Sequence, residues 1–139
     1  MFMQQTLSII KPDATQRQLV GEILARLEQN GFRIVAIKMV QLNQEQAEGF
    51  YIEHREKPFF ARLIEFMCSA PIVVAVLEKQ NAVQDYRTLI GATDPKNAAE
   101  GTLRKEFAID GRQNSLHGSD SIENAAREIA YFFADSEIF

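Results

Sequence analysis

The sequence has few cysteines and lacks long apolar runs. Its single cysteine, Cys68, excludes an internal disulfide. No apolar run is long enough to span a bilayer, and the N-terminus has no positively charged start followed by an apolar stretch. These absences predict a reduced, cytoplasmic setting and no membrane partner. Cys68 follows Met67 on an apolar helical face and is predicted to be a buried core thiol.

Long basic runs and the common nucleotide-binding loops are also absent. The formal net charge is -4 and no Lys/Arg run occurs, so nucleic acid is not the expected main partner. Neither G-x-x-x-x-G-K-[ST] nor G-x-G-x-x-G is present. An acidic chain that binds a polyphosphate must therefore hold it mainly with side chains and concentrate its cations locally.

What is present is a globular composition and an alternation of strands and helices. The 139 residues are 46% hydrophobic and 24% charged, which fits one compact domain, 1–139. β-branched and apolar residues predict strands over 6–10, 32–42 and 72–77, and the last has an unbroken apolar character that predicts burial on both faces. Lys11 then lies at a strand end, where Pro12 stops the strand.

Apolar residues at helical spacing predict the helices. The first carries Val20, Ile23, Leu24 and Leu27 and stops at Asn30-Gly31. Asn43 and Gln46 predict a cap for a second helix, and Pro58 is expected to start a third, so that the two form a helical hairpin. Further helices are predicted over 81–90, near 102–107 and up to Phe133, with an irregular, potentially functional loop over 91–116.

Residues 114–121, Asn-Ser-Leu-His-Gly-Ser-Asp-Ser, place a histidine just before a helix start. A histidine has an ordinary pKa of about 6.5, so neutral, nucleophilic His117 is available at cellular pH. Gly118 is expected to let the backbone approach a ligand, and free N–H groups at the helix start favour anions such as phosphate. Ser119, Asp120 and Ser121 are candidate caps, and Asp120 has capping-box spacing to Glu123. The local chemistry fits a phosphate-accepting histidine, and also a solvated histidine beside a structural cap.

This block resembles the active-site signature of nucleoside diphosphate kinases. Similar segments follow through essentially the whole chain: 10–13 (Ile-Lys-Pro-Asp), Tyr51, 58–60 (Pro-Phe-Phe), 91–95 (Gly-Ala-Thr-Asp-Pro) and 101–104 (Gly-Thr-Leu-Arg). The resemblance implies an α+β fold, a ferredoxin-like antiparallel four-stranded sheet covered by helices with an inserted helical hairpin. Its fourth strand is the short piece that runs into His117.

The resemblance also implies a reaction and a set of site residues. His117 attacks the γ-phosphate of ATP, and a second nucleoside diphosphate takes the phosphoryl group from the phosphohistidine in a ping-pong cycle. The matching catalytic positions are His117, Glu128 as the carboxylate that orients the imidazole, Ser119 and Tyr51. The matching nucleotide-binding positions are Lys11 for phosphate and ribose, Phe59 for the base, Arg87, Thr93 and Arg104 for the outer phosphates, and Asn114 for the ribose. Such a site hardly recognises base edges, so broad specificity and a role in maintaining NTP and dNTP pools follow.

Magnesium is the implied cofactor, bound mainly through the nucleotide phosphates rather than by a dedicated protein site. Asp120 is a candidate to hold a metal-bound water, although helix capping fits it better. His54 is expected to be a helix-end or solvent histidine. The end of the chain at Phe139 resembles bacterial members, which implies a homo-oligomer, a tetramer rather than a hexamer.

Two other functions compete with the kinase. A phosphohistidine carrier between proteins needs no base platform or ribose contact, whereas Phe59, Thr93 and Asn114 match nucleotide contacts. An inactive nucleotide-binding scaffold predicts damage at His117 or Glu128, and both are present. Taken singly, Lys11, Arg87 and Arg104 also fit solvated surface cations, and Tyr51 fits a core residue.

Four residues depart from the family pattern. Ala14 and Gln18 stand where glycine is frequent, and Gln113 and Ser115 stand where arginine and an aliphatic residue are frequent. None of them is a matched catalytic position, so they bear on loop detail and affinity rather than on activity.

Overall fold

A four-stranded antiparallel sheet carries the fold of the computed structural model, which describes residues 3–139. The strands lie in the order β2-β3-β1-β4, and their bounds are β1 (Met3–Ile10), β2 (Arg33–Val40), β3 (Ile72–Gln80) and β4 (Leu116–Gly118). The short strand β4 pairs with β1 and places His117 opposite Ile9. The four predicted strands are confirmed, and β1 and β3 are longer than predicted.

Seven α-helices connect and cover the strands within the described residues. They are α1 (Pro12–Gln16), α2 (Val20–Gln29), α3 (Gln44–Phe50), α4 (Phe60–Met67), α5 (Ala82–Ile90), α6 (Leu103–Phe107) and α7 (Ile122–Phe132). Helix α1 was not predicted from the sequence, in which Pro12 indicated only the end of a strand. Proline has a fixed φ and no N–H, so it suits the first turn of a helix as well.

The two faces of the sheet are buried in two separate apolar clusters. In β3, Ile72, Val74 and Val76 belong to one cluster, which includes residues of α3, α4 and α7. The alternate residues Val73, Ala75 and Leu77 belong to the other, which includes residues of α2, α5 and α6. The period of two along the strand therefore explains its continuous apolar sequence and confirms that both faces are covered.

The inserted hairpin consists of α3 and α4, between β2 and β3. Asn43 and Gln46 form the predicted capping box at the start of α3. The start of α4 was predicted two residues early: the helix begins at Phe60, after Phe59 rather than at Pro58. Cys68 follows the end of this helix and packs against the first apolar cluster, as predicted for a core thiol, but it is half-buried rather than buried.

The loop between α5 and β4 is attached at defined points. Gly91 has φ +86°, and a Cβ there would lie 2.7 Å from the Cβ of Thr102, so only glycine fits this close approach. Thr102 caps α6 through its side chain. Arg26 of α2 pairs with Glu106 and donates to the Gly101 carbonyl at 3.0 Å. The loop is therefore held against α2 rather than left free.

In the described part of the chain, none of the helices combines the length and the apolar character needed to cross a membrane.

Two of the departures from the family pattern have opposite backbone consequences. Gln18 is exposed and has φ 61°, a left-handed conformation that costs a non-glycine residue about 1–2 kcal/mol. Ala14 is fully buried inside α1, where alanine is the most favourable helix former. The family glycine therefore suits the backbone at position 18, whereas alanine suits the helix at position 14.

We expect Gln18→Gly to raise the free energy of unfolding by roughly 0.5–1 kcal/mol, since relief of strain exceeds the extra chain entropy of glycine. The matched change Ala14→Gly should lower it by a similar or larger amount, because glycine weakens a helix and the buried methyl is lost. Urea unfolding curves measure both. A Gln18→Gly variant less stable than the parent would contradict the strain argument.

Candidate active site

Three side chains meet at the end of β4 and the face of α7. The Nε2 of His117 lies 2.8 Å from Oε1 of Glu128, and the Ser119 hydroxyl donates to the same oxygen at 2.7 Å. Ser119 is fully buried and its oxygen accepts from the Leu7 N–H of β1 at 3.4 Å. The imidazole thus has a fixed orientation, with one nitrogen held by a carboxylate that is itself held by a serine.

The hydrogen bond to Glu128 also selects the tautomer of His117. When Nε2 carries the hydrogen and donates it to the carboxylate, the lone pair of the neutral ring is on Nδ1. The side chain of His117 is 17% exposed, so the ring is accessible from only part of its surface. Nδ1 is therefore the nucleophilic atom that this arrangement provides.

Opposing effects set the charge of the imidazole. Burial lowers the pKa of His117, the Glu128 carboxylate raises it, and the nearby cations Lys11 and Arg104 lower it again; the net result is a pKa below the ordinary value. Burial alone would raise the pKa of Glu128, but the hydrogen bonds and positive charges around it bring that pKa below its ordinary value. At neutral pH the pair is consequently a neutral imidazole and an ionised carboxylate.

Lys11 and Arg104 form a buried cationic region beside His117. Lys11 is at the end of β1, and its Nζ donates to Oδ1 of Asn114 at 2.9 Å. Burial, together with the Arg104 charge, lowers the pKa of Lys11 to about 8, although Asp13 acts in the other direction. Arg104 donates to the carbonyls of Gly91, Leu116 and Asn114 at 2.9, 2.7 and 3.3 Å. No carboxylate among the described residues pairs with either cation, so this region is suited to an anion.

A second buried carboxylate holds the loops that carry these groups. Asp13 accepts from the hydroxyl of Ser115 at 2.7 Å and from its backbone N–H at 3.2 Å. Arg17 donates to Asp13 at 3.1 Å, and the Lys11 N–H donates to the Ser115 carbonyl at 2.8 Å. Ser115, one of the departures from the family pattern, thus has polar partners in the core despite its left-handed φ of 70°. The result is that residues 11 and 114 are held next to each other.

A cavity of about 340 Å³ opens in front of His117. Of the predicted site residues, it is lined by Tyr51, Arg87, Thr93, His117 and Glu128. The other predicted residues lie outside its lining. Lys11, Asn114 and Arg104 are in the neighbouring cationic region, Ser119 is behind Glu128, and Phe59 is on the surface, where the residue is 48% exposed. The structure therefore brings most of the predicted residues to one end of the sheet and leaves Phe59 at its margin.

Tyr51 belongs both to the core and to the cavity. Its ring packs edge-to-face on Phe50 and lies 6.2 Å from the ring of His117. Its buried hydroxyl has no hydrogen-bond partner among the described residues. Burial and the Glu128 charge raise the pKa of Tyr51, so the hydroxyl keeps its proton and remains a donor. A buried donor of this kind costs about 1–3 kcal/mol unless a ligand satisfies it.

Some cavity residues were missed by the sequence analysis. Phe50 packs edge-to-face on His117 at 5.4 Å, and the cavity is also lined by Glu53, His54, Asn124 and Arg127. His54 is at a helix end, as predicted, in a 3-10 turn (Ile52–His54), but it is half-buried and faces the cavity rather than solvent. Only sequence proximity to predicted site residues could have indicated this region: His54 follows Tyr51 by about one helical turn, and Arg127 is adjacent to Glu128.

Two predictions around the helix start are corrected. Ser121, not Asp120, caps α7, because its hydroxyl accepts from the Asn124 N–H at 3.0 Å. Asp120 instead accepts from the Asn124 side chain, so it forms no capping box with Glu123. Gly118 is needed for packing, because a Cβ there would lie 2.9 Å from Cδ2 of Tyr86, and it also lines the cavity in front of His117. That tyrosine is fixed by a 2.6 Å hydrogen bond to Ser8.

Among residues 3–139, no group of three or more His, Cys, Asp or Glu side chains is arranged to hold a metal ion.

Comparison with known proteins agrees with this geometry. A family model described as "Nucleoside diphosphate kinase" matches residues 4–138. A nucleoside diphosphate kinase of Pasteurella multocida is 65% identical over the full length of both chains, and one of Histophilus somni (strain 129Pt) is 66% identical over 100% of this chain and 99% of the relative.

Solved structures give the same result. The nucleoside diphosphate kinase of Aquifex aeolicus superposes with a TM-score of 0.97 at 44% identity, covering 99% of this chain and 100% of that one. A halophilic nucleoside diphosphate kinase from Halobacterium salinarum, in complex with CDP, superposes with a TM-score of 0.94 at 40% identity, covering 99% and 92%.

The fold and the site together define the class of protein as a kinase, an enzyme that transfers phosphoryl groups. The chain belongs to the nucleoside diphosphate kinase family. The ferredoxin-like α+β fold implied by the sequence resemblance is confirmed by the sheet order and by both structural relatives.

Proposed function

We propose that this protein transfers the γ-phosphate of ATP, or of another nucleoside triphosphate, to nucleoside diphosphates through a phosphohistidine at His117. The observation that carries the proposal is the hydrogen bond between Nε2 of His117 and Glu128, which leaves the lone pair of a neutral ring on Nδ1. Residues 1–139 act in this proposal as one nucleoside diphosphate kinase domain.

The first half-reaction forms one bond and breaks one. The Nδ1 lone pair attacks the γ-phosphorus, the bond from that phosphorus to the β,γ-bridging oxygen breaks, and ADP leaves with the electron pair. The Glu128 carboxylate continues to accept the hydrogen bond from Nε2–H and offsets the positive charge that develops on the phosphorylated ring. In the second half, a terminal oxygen of the acceptor diphosphate attacks the same phosphorus and Nδ1 leaves.

Charge neutralisation is assigned to the side chains around the cavity. Arg87 and Thr93 line the cavity and are proposed to hold the outer phosphates, with Arg104 as the third group for these phosphates. The unpartnered hydroxyl of Tyr51 is proposed to donate to the transferred phosphoryl group. Because Arg104 already donates to three carbonyls, only its remaining N–H groups are available for phosphate.

The nucleoside is assigned to the neighbouring region. Lys11 is proposed to contact phosphate and ribose, Asn114 is proposed to contact the ribose, and the exposed ring of Phe59 is proposed to stack on the base. Every base has a π-face, so stacking does not distinguish between bases and different bases are accepted. We propose that ribose and deoxyribose are both accepted as well. Mg²⁺ is proposed to enter with the nucleotide, bound mainly through its phosphates, where it would neutralise charge on the β- and γ-oxygens.

The test is to mix the protein with γ-labelled ATP and Mg²⁺ and then to add GDP. We expect acid-labile, base-stable label on the protein that moves into GTP, and at least 10³-fold less label on His117→Ala, since the nucleophile is removed. UDP and dGDP should also accept the label, and a metal chelator should stop the reaction. Label that stays on the protein would point to a carrier, and absence of label would point to a binding module; either result would contradict the proposal.

The charge of Lys11 predicts a pH dependence of nucleotide binding. Since the pKa of Lys11 in the free protein is about 8, its charge is complete below pH 7 and is lost as the pH rises towards 9. The Kd for ADP should therefore rise about tenfold from pH 7 to pH 9, measured by titration calorimetry. Lys11→Arg keeps its charge throughout and should give a flatter curve; an equally steep curve would show that another group is responsible.

We also propose that the protein forms a homo-oligomer, a tetramer rather than a hexamer, as the family resemblance implies. Strand β2 is at the edge of the sheet, where Met39 is 66% exposed and the apolar side chain of Ile37 is also exposed. Light scattering should give a mass four times that of the chain, and Met39→Asp should lower it. A monomeric parent protein would refute this proposal. The proposed location is the cytoplasm, which fractionation of the source cells would test.

A further inference from the structure

Arg127, in α7 next to Glu128, lies between two carboxylates. Its Nη2 is 3.5 Å from Oε1 of Glu53 and 3.8 Å from Oε2 of Glu128. Its Nε is buried and has no hydrogen-bond partner within the described residues. The side chain also lines the cavity in front of His117. None of the motif positions that support the proposed mechanism includes this residue.

The two oxygens of Glu128 have different partners. Oε1 receives both short hydrogen bonds, from His117 at 2.8 Å and from Ser119 at 2.7 Å. Oε2 faces the Arg127 guanidinium. A carboxylate with a cation beside one oxygen and two donors on the other has little freedom to rotate. Oε1 of Glu128 is therefore the oxygen that stays hydrogen-bonded to Nε2 of His117.

We propose that Arg127 is a positioning residue, which fixes the second oxygen of Glu128 and balances the charges of Glu53 and Glu128 beside His117. The inference deepens the proposed function, because it concerns how the phosphate-accepting imidazole is kept neutral. Glu53 belongs to the turn after α3, so the same guanidinium also connects α7 to the inserted hairpin.

The electrostatic consequence depends on all the charged and titratable groups around the pair. The imidazole of His117 is faced by Glu128 from α7, Lys11 from the end of β1, Arg104 from α6 and the neutral Tyr51 hydroxyl from the end of α3. Glu128 is faced by His117, Ser119 and Arg127, and the cavity is also lined by Arg87, Asp120 and His54. Removal of Arg127 leaves two carboxylates without their shared cation, which stabilises the protonated imidazole.

The experiment follows the two histidine rings of the protein by NMR as a function of pH, with His117→Asn used to assign them. In Arg127→Gln the titration midpoint of His117 should rise by about 0.5–1 pH units, and the acid limb of phosphorylation by ATP should move up with it. The matched control is Arg33→Gln, which also removes an arginine–glutamate pair but lies near the opposite end of the sheet. It should leave both curves unchanged.

Two further variants separate charge from folding. Arg127→Lys keeps the charge and should recover most of the titration midpoint, and Glu53→Gln combined with Arg127→Gln should recover part of it because one carboxylate charge is gone. A His117 titration in Arg127→Gln that overlays the parent curve would overturn the inference. So would an unchanged midpoint with weaker ADP binding, since Arg127 would then be a direct ligand.

The NMR titration does not require phosphoryl transfer, so it remains informative whether or not the protein takes label from ATP. If the parent protein takes no label from ATP, the proposed function fails while the charge relation between Arg127 and His117 is still measured. If the parent takes label and the Arg127→Gln midpoint does not move, only the inference about Arg127 fails.

Discussion

The arrangement of the site depends on one buried carboxylate. Glu128 accepts from His117 and Ser119 through the same oxygen. The hydrogen bond with His117 determines the ring orientation, the tautomer and the accessible nitrogen of the imidazole, and the bond from Ser119 holds the carboxylate in place. The carboxylate is stable in this position because each of its oxygens faces a donor or a cation. A buried charge without such partners costs several kcal/mol, so the surrounding groups are a condition for having the carboxylate there at all.

A second buried carboxylate performs the equivalent task for the binding groups. Asp13 joins α1 to the backbone and the hydroxyl of Ser115, and the nearby residues Lys11 and Asn114 are thereby held in contact. Lys11 and Arg104 are kept in the interior with no carboxylate partner among residues 3–139. This burial of cations is unfavourable by itself, and in the proposed function the polyphosphate supplies the missing negative charge.

Packing constraints and chemistry overlap in the same short strand. Strand β4 has only three residues, yet it pairs with β1, carries His117 and contacts α5 through Gly118. Tyr86 fills the space that a Cβ at position 118 would need, and its hydroxyl is bonded to Ser8 of β1. The strand is short, but it is fixed on the sheet side by β1 and on the helix side by Tyr86, so the imidazole has a rigid support.

Much of the fold followed from the sequence because local patterns and burial agreed. The unbroken apolar run in β3, the capping box of Asn43 and Gln46 and the helical spacing before Phe133 depend on a few neighbouring residues, and a period of two or of 3.6 is visible in the sequence. The approximate position of a histidine ahead of a helix was also visible.

The distances within the site were not visible in the sequence, because His117 and Glu128 meet only when a strand and a helix pack together. The same holds for Lys11 and Asn114, which are 103 positions apart in the chain. Glu53 and Arg127 likewise became neighbours only in the folded chain. The tertiary structure alone decided that Gly118 accommodates Tyr86 and that His54 faces the cavity.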